Sequence, residues 1–482
     1  MILRRLALLI GITCLCAGMS GCATRPASSA PKLAATVSYG PLPKALDLTM
    51  QDQAPEAWWR SFGATALEEL IQESLRANPN LRAAQASLRA AHDLTLAQRG
   101  AFLPAVSLSV APSRQKIAPI LASPAQSGAG LYSLTTSQVS VSYTPDLFGA
   151  NARALDGLVA AEDQQRYEVE AARLSLAANV TVAAMNEAAL RAQSEEAEAV
   201  VRLQKSLYAS ALRQRSVGQL SDADSEAAAT ALAAAEAQTP PIRRQLAQAQ
   251  DLLTALVGRT PDRPAHSGLN FADLKTPSPL PLVTPARLVA QRPDVRLAGA
   301  ALRSAGAAVG VAHAARLPSL DLSAAFGGAA LKLSPQFGGS QNFWVAAGEL
   351  SAPLFQGGAL MRKEAAARNL YTGAGEQYQA AVIAAFQNVA DTLAALQSDA
   401  EALRAADATQ TSADHVLAIA KAQLQAGDIS ANALLQAEIT ARQAKIALLQ
   451  ARLAQLSDVV ALYQALGGGW RDPALHADTK DN

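Results

Sequence analysis

The chain has 482 residues; half are hydrophobic but only 4% are aromatic, and the formal net charge is +1 at pH 7. Alanine supplies much of the hydrophobic share, which favours long helices packed at close range over a thick core of large side chains. The near-neutral charge excludes a broad basic surface for nucleic acid. All three cysteines lie in the first 22 residues, which excludes a disulfide framework or a cysteine-based metal site in the body of the chain.

The N-terminus has the pattern of an export signal with a lipid attachment site. Two arginines precede an apolar run from Leu6 to Ala17, which is too short to span a bilayer and fits a signal-peptide core. The run ends in Met19-Ser20-Gly21-Cys22, which resembles a bacterial lipobox. We therefore expect a signal peptide at 1–21, acyl chains on Cys22 and a lipid-anchored extended segment at 22–60. Ordinary secretion with cleavage nearby is the alternative.

The body of the chain carries one pattern twice. Four short landmarks recur in the same order about 210 residues later, which predicts two structural repeats, at 61–265 and 266–470. A unit of this length indicates a duplicated domain rather than a solenoid repeat. The landmark pairs are Asn78-Pro79 with Arg292-Pro293, Ala101-Phe102-Leu103-Pro104 with Ala315-Arg316-Leu317-Pro318, Asp146-Leu147-Phe148-Gly149 with Leu354-Phe355-Gln356-Gly357, and Val217–Ser221 with Ala426–Ser430.

Each repeat begins with a predicted helix, near 65–100 and near 285–315, followed by two strand-like stretches. These stretches alternate apolar and polar residues, as in Val106-Ser107-Leu108-Ser109-Val110, which indicates strands with one apolar and one polar face. In the last and weakest stretch we take Phe343 and Val345 as the apolar positions. The four strands are predicted near 103–112, 135–145, 317–326 and 342–353.

Each repeat then enters a very long helix that turns back at a single glycine. Residues 150–216 and 359–425 contain no proline, and each stretch would span about 100 Å as a helix. We predict the reversals at Gly218 and Gly427, because glycine permits the positive φ of a helix end. Pro240-Pro241 predicts that the first returning helix breaks into two segments. The second returning helix has a heptad seam of apolar residues.

Four strands are too few to close a membrane barrel, since the smallest such barrels need about eight. An open sheet edge in lipid would leave backbone groups unpaired, at a cost of several kcal/mol each. Either the strands form a soluble sheet or several chains pool them. Three chains would supply twelve strands. We therefore predict a mainly α protein with a membrane β-barrel, in which a homotrimer forms a 12-stranded barrel continued by a long α-helical barrel.

The ordered motifs resemble those of the outer-membrane efflux factors, the TolC-like exit ducts. Within that family, the lipobox and the Gly-Gly-Gly-Trp ending are similar to those of the NodT-type lipoproteins of RND efflux systems. The resemblance covers residues 55–470. It implies a homotrimer in the bacterial outer membrane that works with a periplasmic adaptor protein and an inner-membrane RND-type transporter. The residues that carry it are Trp58-Trp59, Phe62-Gly63, Asn78-Pro79-Asn80-Leu81, Asp146-Leu147-Phe148-Gly149, Arg292-Pro293-Asp294-Val295 and Leu466-Gly467-Gly468-Gly469-Trp470.

The resemblance also assigns a role to the two helix reversals, where family members meet the adaptor. A simple helix cap is the alternative role of each glycine, and the two roles are compatible. The matching positions are Val217, Gly218, Gln219, Leu220 and Ser221 in the first reversal, and Ala426, Gly427, Asp428, Ile429 and Ser430 in the second.

Family channels close near these reversals, and the matching gate positions are Asp224, Asp428 and Gln436. Gln436 stands where an aspartate is common and Ile429 where some relatives have an arginine, which puts a salt-bridged gate in doubt. A ring of Asp224 carboxylates related by threefold symmetry would favour cations. Alternatively, Asp222 and Asp224 only cap and charge the first turn of a helix.

No catalytic residue, cofactor or metal site is predicted, because none of the five histidines has a metal-ligand spacing or a nucleophile motif beside it. A polar tail is expected at 471–482. The leading function is a passive exit duct for small toxic compounds or drugs. The alternatives are an exit duct for type I protein secretion and a structural coiled-coil lipoprotein or adhesin with a soluble sheet.

Overall fold

A computed structural model describes residues 46–51, 53–116, 131–331 and 341–470. The predicted signal peptide, Cys22 and the tail at 471–482 lie outside the described residues. The described chain forms two compact units. The sheet unit takes its residues from 88–164 and 298–378, and the helical unit from 46–87, 165–297 and 379–470. Each unit therefore contains segments of both predicted repeats.

The described residues are mainly helical. The helices are α1 Thr65–Ala77, α2 Pro79–Arg99, α3 Ala150–Ser216, α4 Asp222–Val257, α5 Pro285–Gln291, α6 Pro293–Ala314, α7 Ala359–Ala426 and α8 Ala431–Ala465. The strands are β1 Leu48–Gln51, β2 Ala105–Lys116, β3 Leu131–Tyr143, β4 Leu280–Val283, β5 Ser319–Ala330 and β6 Asn342–Ser351.

The sheet unit contains a four-stranded antiparallel sheet in the order β2-β3-β5-β6. Its register aligns Leu108 with Val139, Val139 with Phe326, and Phe326 with Trp344. Side chains of one such row share a face, and rows two residues apart along the strands continue that face. The face is therefore apolar over several rows, and its large side chains are exposed. Those at least 40% exposed are Val106, Leu108, Val110, Leu131, Val139, Leu322, Phe326, Trp344 and Leu350.

The opposite face of the sheet is polar. It carries Ser107, Ser140 and Ser323, with Asp321 and Glu349 directly opposite each other. The register also places Phe343 and Val345 on this face, so the expectation that they are the apolar positions of β6 was wrong. Trp344, between them, belongs to the apolar face. In a short stretch with apolar residues at both odd and even positions, the sequence does not determine which set faces which side of the sheet. Only the pairing of β6 with β5 determines it.

A buried carboxylate joins the helices of the sheet unit where they meet the strands. Glu364, near the start of α7, accepts hydrogen bonds from Arg368 at 2.7 Å and from Arg316 at 2.5 Å. His313 lies 3.4 Å from the same side chain. The hydrogen bonds from Arg368 and Arg316 lower the pKa of Glu364 to about 2. The carboxylate therefore stays ionised at neutral pH and ties the end of α6 to α7.

The helical unit has an aromatic and aliphatic core near its chain ends. Trp58 stacks on Tyr463 of α8 with ring centroids 5.2 Å apart, and Phe62 packs edge-on against Trp58. Strand β1 pairs in parallel with β4, whose four residues are all buried. The start of the described chain is thereby fixed beside a segment near the beginning of the second predicted repeat.

The two helices predicted near 65–100 and 285–315 are each broken, so the prediction of one helix in each place was wrong. The breaks fall at Asn78 and Arg292, whose ψ angles of 123° and 126° are extended. Each precedes a proline, and the proline ring excludes the preceding residue from the helical region. These are the Asn78-Pro79 and Arg292-Pro293 landmarks themselves.

The two break residues make matching contacts. Asn78 donates from Nδ2 to the carbonyl of Leu256 at 2.9 Å, and Arg292 donates from Nη1 to the carbonyl of Ala465 at 2.9 Å. Leu256 lies near the end of α4, and Ala465 ends α8. Each break therefore satisfies a carbonyl at the end of the returning helix of its own half.

The first returning helix is continuous across Pro240-Pro241, so the predicted break there was wrong. Two prolines remove two backbone donors and leave the carbonyls of Glu236 and Ala237 without helical partners. These four residues are exposed. Water can therefore satisfy the released carbonyls, which reduces the cost of keeping the prolines in the helix.

Candidate functional site

The first helix reversal, Val217–Ser221, is a capped turn between α3 and α4. Gly218 has φ +72° and donates to the carbonyl of Arg215 at 2.9 Å. Gln219 donates to the carbonyl of Gln214 at 2.8 Å. This pair of bonds is a Schellman motif, which needs a left-handed residue at the glycine position.

The serine that follows caps the returning helix. Ser221 Oγ accepts from the backbone N–H of Asp224 at 3.1 Å and donates to the Asp224 carboxylate at 2.7 Å. Arg215, in the last turn of α3, lies 2.7 Å from the Asp222 carboxylate. The sequence-based alternative, that Asp222 and Asp224 cap and charge the first turn, describes these contacts directly.

The second reversal, Ala426–Ser430, repeats the backbone geometry, but the helix that follows it has no acidic residue in its first turn. Gly427 has φ +81° and donates to the carbonyl of Leu424 at 3.1 Å, while Asp428 donates to the carbonyl of Gln423 at 2.9 Å. Ser430 Oγ accepts from the backbone N–H of Ala433 at 3.3 Å. Alanine therefore stands where the first reversal has the Asp224 carboxylate.

Both reversals present an open surface. A Cβ placed on Gly218 or Gly427 would have no atom within 4 Å, so the backbone there is accessible. Val217 is 66% exposed, and Asp428 is exposed as well. Leu220 and Ile429, each two residues after its glycine, are half-buried. Such a tip offers free backbone and a few apolar groups to a partner.

The predicted gate residues are exposed, and the hydrogen bonds found for them join each to its own reversal or helix. Asp224 is held by Ser221. Gln436 is exposed on α8, and its backbone carbonyl accepts from Thr440 Oγ1 at 3.0 Å. No hydrogen bond or ion pair joins the residues of the first reversal to those of the second within the described parts of the chain.

Sequence reasoning missed the buried polar groups of the helical unit. Glu187 of α3 has no exposed surface, and it accepts hydrogen bonds from Ser267 and from Arg191. Asp458 of α8 is half-buried, and it lies close enough to the half-buried Asp399 of α7 for the two carboxyl groups to interact. In the sequence of an alanine-rich helix, a buried acidic residue cannot be told from an exposed one. Only the contacts in the folded chain reveal these sites. Within the described residues, no group of three or more His, Cys, Asp or Glu side chains is arranged to hold a metal ion.

Comparison with known proteins gives one consistent answer. A family model described as outer membrane efflux protein matches residues 70–259 and 284–468. The antibiotic efflux pump outer membrane protein ArpC of Pseudomonas putida is 30% identical over 467 residues, which cover 95% of each chain. The Campylobacter jejuni CmeC outer membrane channel superposes with a TM-score of 0.80 at 20% identity, covering 94% of this chain and 98% of that one. The Neisseria gonorrhoeae MtrE outer membrane channel gives a TM-score of 0.73 at 25% identity, covering 87% and 95%.

Proposed function

The chain belongs to the outer membrane efflux protein family, and on this premise we propose how it works as the outer-membrane exit duct of a tripartite efflux pump. The family predicted from the sequence motifs is thus confirmed. Its members are transport channels, and we propose no chemical step and no cofactor for this chain. It conducts solutes passively, and the pump partners supply the energy.

The exposed apolar face of the four-stranded sheet is the observation that carries the proposal. Among the described strands, β2 and β6 each have a single hydrogen-bonded neighbour, so both edges of the sheet are unpaired. In lipid such edges are costly, and closure with other chains removes them. We infer a homotrimer whose twelve strands form one barrel, with the apolar face towards lipid and the polar face towards an aqueous lumen.

The family match also supports the internal duplication. The same family model matches twice, and the two matches begin at residues 70 and 284, which are 214 residues apart. The paired break residues, Asn78 and Arg292, are separated by the same number of residues. The boundaries proposed for the two repeats, 61–265 and 266–470, rest on these correspondences.

The two helix reversals are the proposed contact with the periplasmic adaptor. The support is their accessible backbone and their shared geometry, which give one binding motif per repeat. Asp224, Asp428 and Gln436 near these tips are the proposed gate residues, and Cys22 is the proposed lipid anchor in the outer membrane. An RND-type inner-membrane transporter is the proposed pump.

Small organic compounds are the proposed cargo. Relatives of this chain are named for antibiotic efflux, toluene efflux and pyoverdine export, all of them small molecules. These names favour small compounds over secreted proteins, and the exposed apolar sheet favours a membrane channel over a soluble adhesin.

Drug resistance of cells tests the contact assignment. The full chain is expressed with its adaptor and transporter in a strain that lacks its own outer-membrane channel. We expect Gly218→Trp combined with Gly427→Trp to leave the trimers assembled but to abolish resistance, since bulk at both tips blocks the partner. Gly218→Ala with Gly427→Ala is the matched control, because alanine imposes the same φ strain without bulk. Normal resistance in the tryptophan double variant would refute this assignment.

A further inference from the structure

The charged residues of the sheet are divided between its two ends. The helical end of the sheet is where the strands join the helices, at residues 105, 143, 319 and 351; the distal end is the opposite one. Asp321 and Glu349 lie near the helical end. Arg114 and Lys116 lie at the distal end, on β2.

The two cations belong to the same face as the apolar side chains. Val106, Leu108 and Val110 alternate along β2, and Arg114 and Lys116 continue that alternation beyond them. Arg114 lies four residues past Val110, about 13 Å further along the strand. Their cross-strand neighbours are Ser133 and Leu131, so no acidic group lies opposite them.

Neither cation is neutralised by the residues of the sheet unit that the structure describes. Both are exposed, and among the described residues no carboxylate lies within ion-pair distance of either. The described residues of the distal end belong to the sequence segments 112–134 and 327–342, and these segments contain basic residues but no aspartate or glutamate. A positive end that continues an apolar band is complementary to a lipid, with acyl chains against the band and an anionic headgroup against the cations.

We propose that Arg114 and Lys116 form a docking surface for the phosphate groups of lipid headgroups in the outer leaflet. This inference rests on the proposed function, which places the apolar face against lipid and the distal end at the cell exterior. The long side chains reach the headgroup region while β2 stays in the barrel wall. The surface would hold anionic lipid around the barrel at a fixed height.

Lipid selectivity of the purified full chain tests the proposal. The protein is reconstituted into phosphatidylcholine vesicles, and the association of spin-labelled phosphatidic acid is measured relative to spin-labelled phosphatidylcholine. We expect wild-type protein to prefer phosphatidic acid, and Arg114→Gln with Lys116→Gln to lose most of that preference. Each cation near the surface contributes about fivefold in binding.

Two further variants make the result specific. Arg114→Lys with Lys116→Arg keeps the charge and should keep the preference. Arg404→Gln with Lys421→Gln removes two exposed cations from α7 and should leave the preference unchanged. An unchanged preference in the Arg114/Lys116 double variant, an equal loss in the α7 control, or no preference in wild-type protein would each overturn the inference.

Two additional measurements separate the possible sources of failure. If millimolar inorganic phosphate displaces the labelled phosphatidic acid completely, the surface binds free anions and the lipid assignment is wrong. Restoration of drug resistance by the wild-type chain tests the proposed function independently. If the wild-type chain restores resistance but the Arg114/Lys116 double variant keeps the lipid preference, only the lipid surface is refuted. If the wild-type chain fails to restore resistance, the proposed function is refuted.

Discussion

The two helical hairpins, α3 with α4 and α7 with α8, differ in polarity at corresponding positions 209 residues apart. In the first hairpin the buried Glu187 accepts hydrogen bonds from Arg191 at 2.5 Å and from Gln250 at 3.4 Å. Burial raises the pKa of Glu187, but hydrogen bonds from Ser267 and Arg191 outweigh it and leave the pKa below its ordinary value. The corresponding residues of the second hairpin are Leu396, Ala400 and Val459.

The pattern is reversed at neighbouring positions. Asp399 and Asp458 face each other in the second hairpin, and burial together with the Asp399 charge raises the pKa of Asp458 to about 6. The corresponding residues of the first hairpin, Leu190 and Ala249, are buried and apolar. The shared backbone of the hairpins therefore tolerates a polar or an apolar layer, provided that each buried polar group has a partner.

The largest expected effect on stability comes from removing the Glu187 carboxylate, which accepts hydrogen bonds from three side chains. Glu187→Leu leaves Ser267, Arg191 and Gln250 without their acceptor, and we expect a loss of about 2–4 kcal/mol of stability. Thermal unfolding of the purified protein in detergent measures it.

The second hairpin supplies the control for that variant. Glu187→Leu combined with Arg191→Ala and Gln250→Val gives the first hairpin the residue types of the second at these positions. We expect part of the lost stability to return, because no unpaired charge then remains and only the Ser267 hydroxyl lacks its acceptor. A triple variant no more stable than Glu187→Leu would show that the two hairpins are not interchangeable at this level.

A smaller effect is expected from the carboxyl pair, and it depends on pH. Since the folded pKa of Asp458 is raised from 3.8 to about 6, its contribution to stability is complete below about pH 4 and is lost as the pH rises through about 6. Asp458→Asn should therefore stabilise the protein at pH 7.5 by about 1 kcal/mol, a value reduced for the partial exposure of the pair.

Melting temperatures at pH 5 and pH 7.5 test this dependence. Wild-type protein should lose stability between these values by more than Asp458→Asn does. Asp407→Asn, at an exposed position of α7, is the matched control and should behave like wild type. Identical pH profiles for wild type and Asp458→Asn would contradict the raised pKa.

The sequence predicted the hairpins well because their signals are local. A long proline-free stretch, a glycine and a serine three residues later specify the reversal at Gly218 and again at Gly427. The breaks at Asn78 and Arg292 also had a local signal in the following prolines, which the apolar periodicity of the helices obscured. The continuity of α4 through Pro240-Pro241 had none, because it depends on which side of the helix faces water.

The buried Glu187 and the half-buried Asp458 were beyond sequence reasoning for a different reason. Glu187 and Asp458 occupy alanine-rich helices in which exposed acidic residues are common. The burial of Glu187 and the partial burial of Asp458 depend on helices that pack across a separation of tens of residues, and Glu187 also depends on Ser267 from a loop. Non-local partners of this kind leave no periodic signal along the chain.

The smallest effect on stability, and the sharpest test of the gate, concerns the two reversals. Ala433 already stands where the first reversal has Asp224, and Ser430 caps that helix without the carboxylate. Asp224→Ala should therefore change stability by no more than about 0.5 kcal/mol. If Asp224 contributes a carboxylate ring, the same variant should weaken the cation preference of single channels in planar bilayers, and Ala433→Asp should strengthen it. Unchanged ion selectivity in both variants would show that Asp224 acts only as a helix cap and that the two reversals do not differ in their effect on conduction.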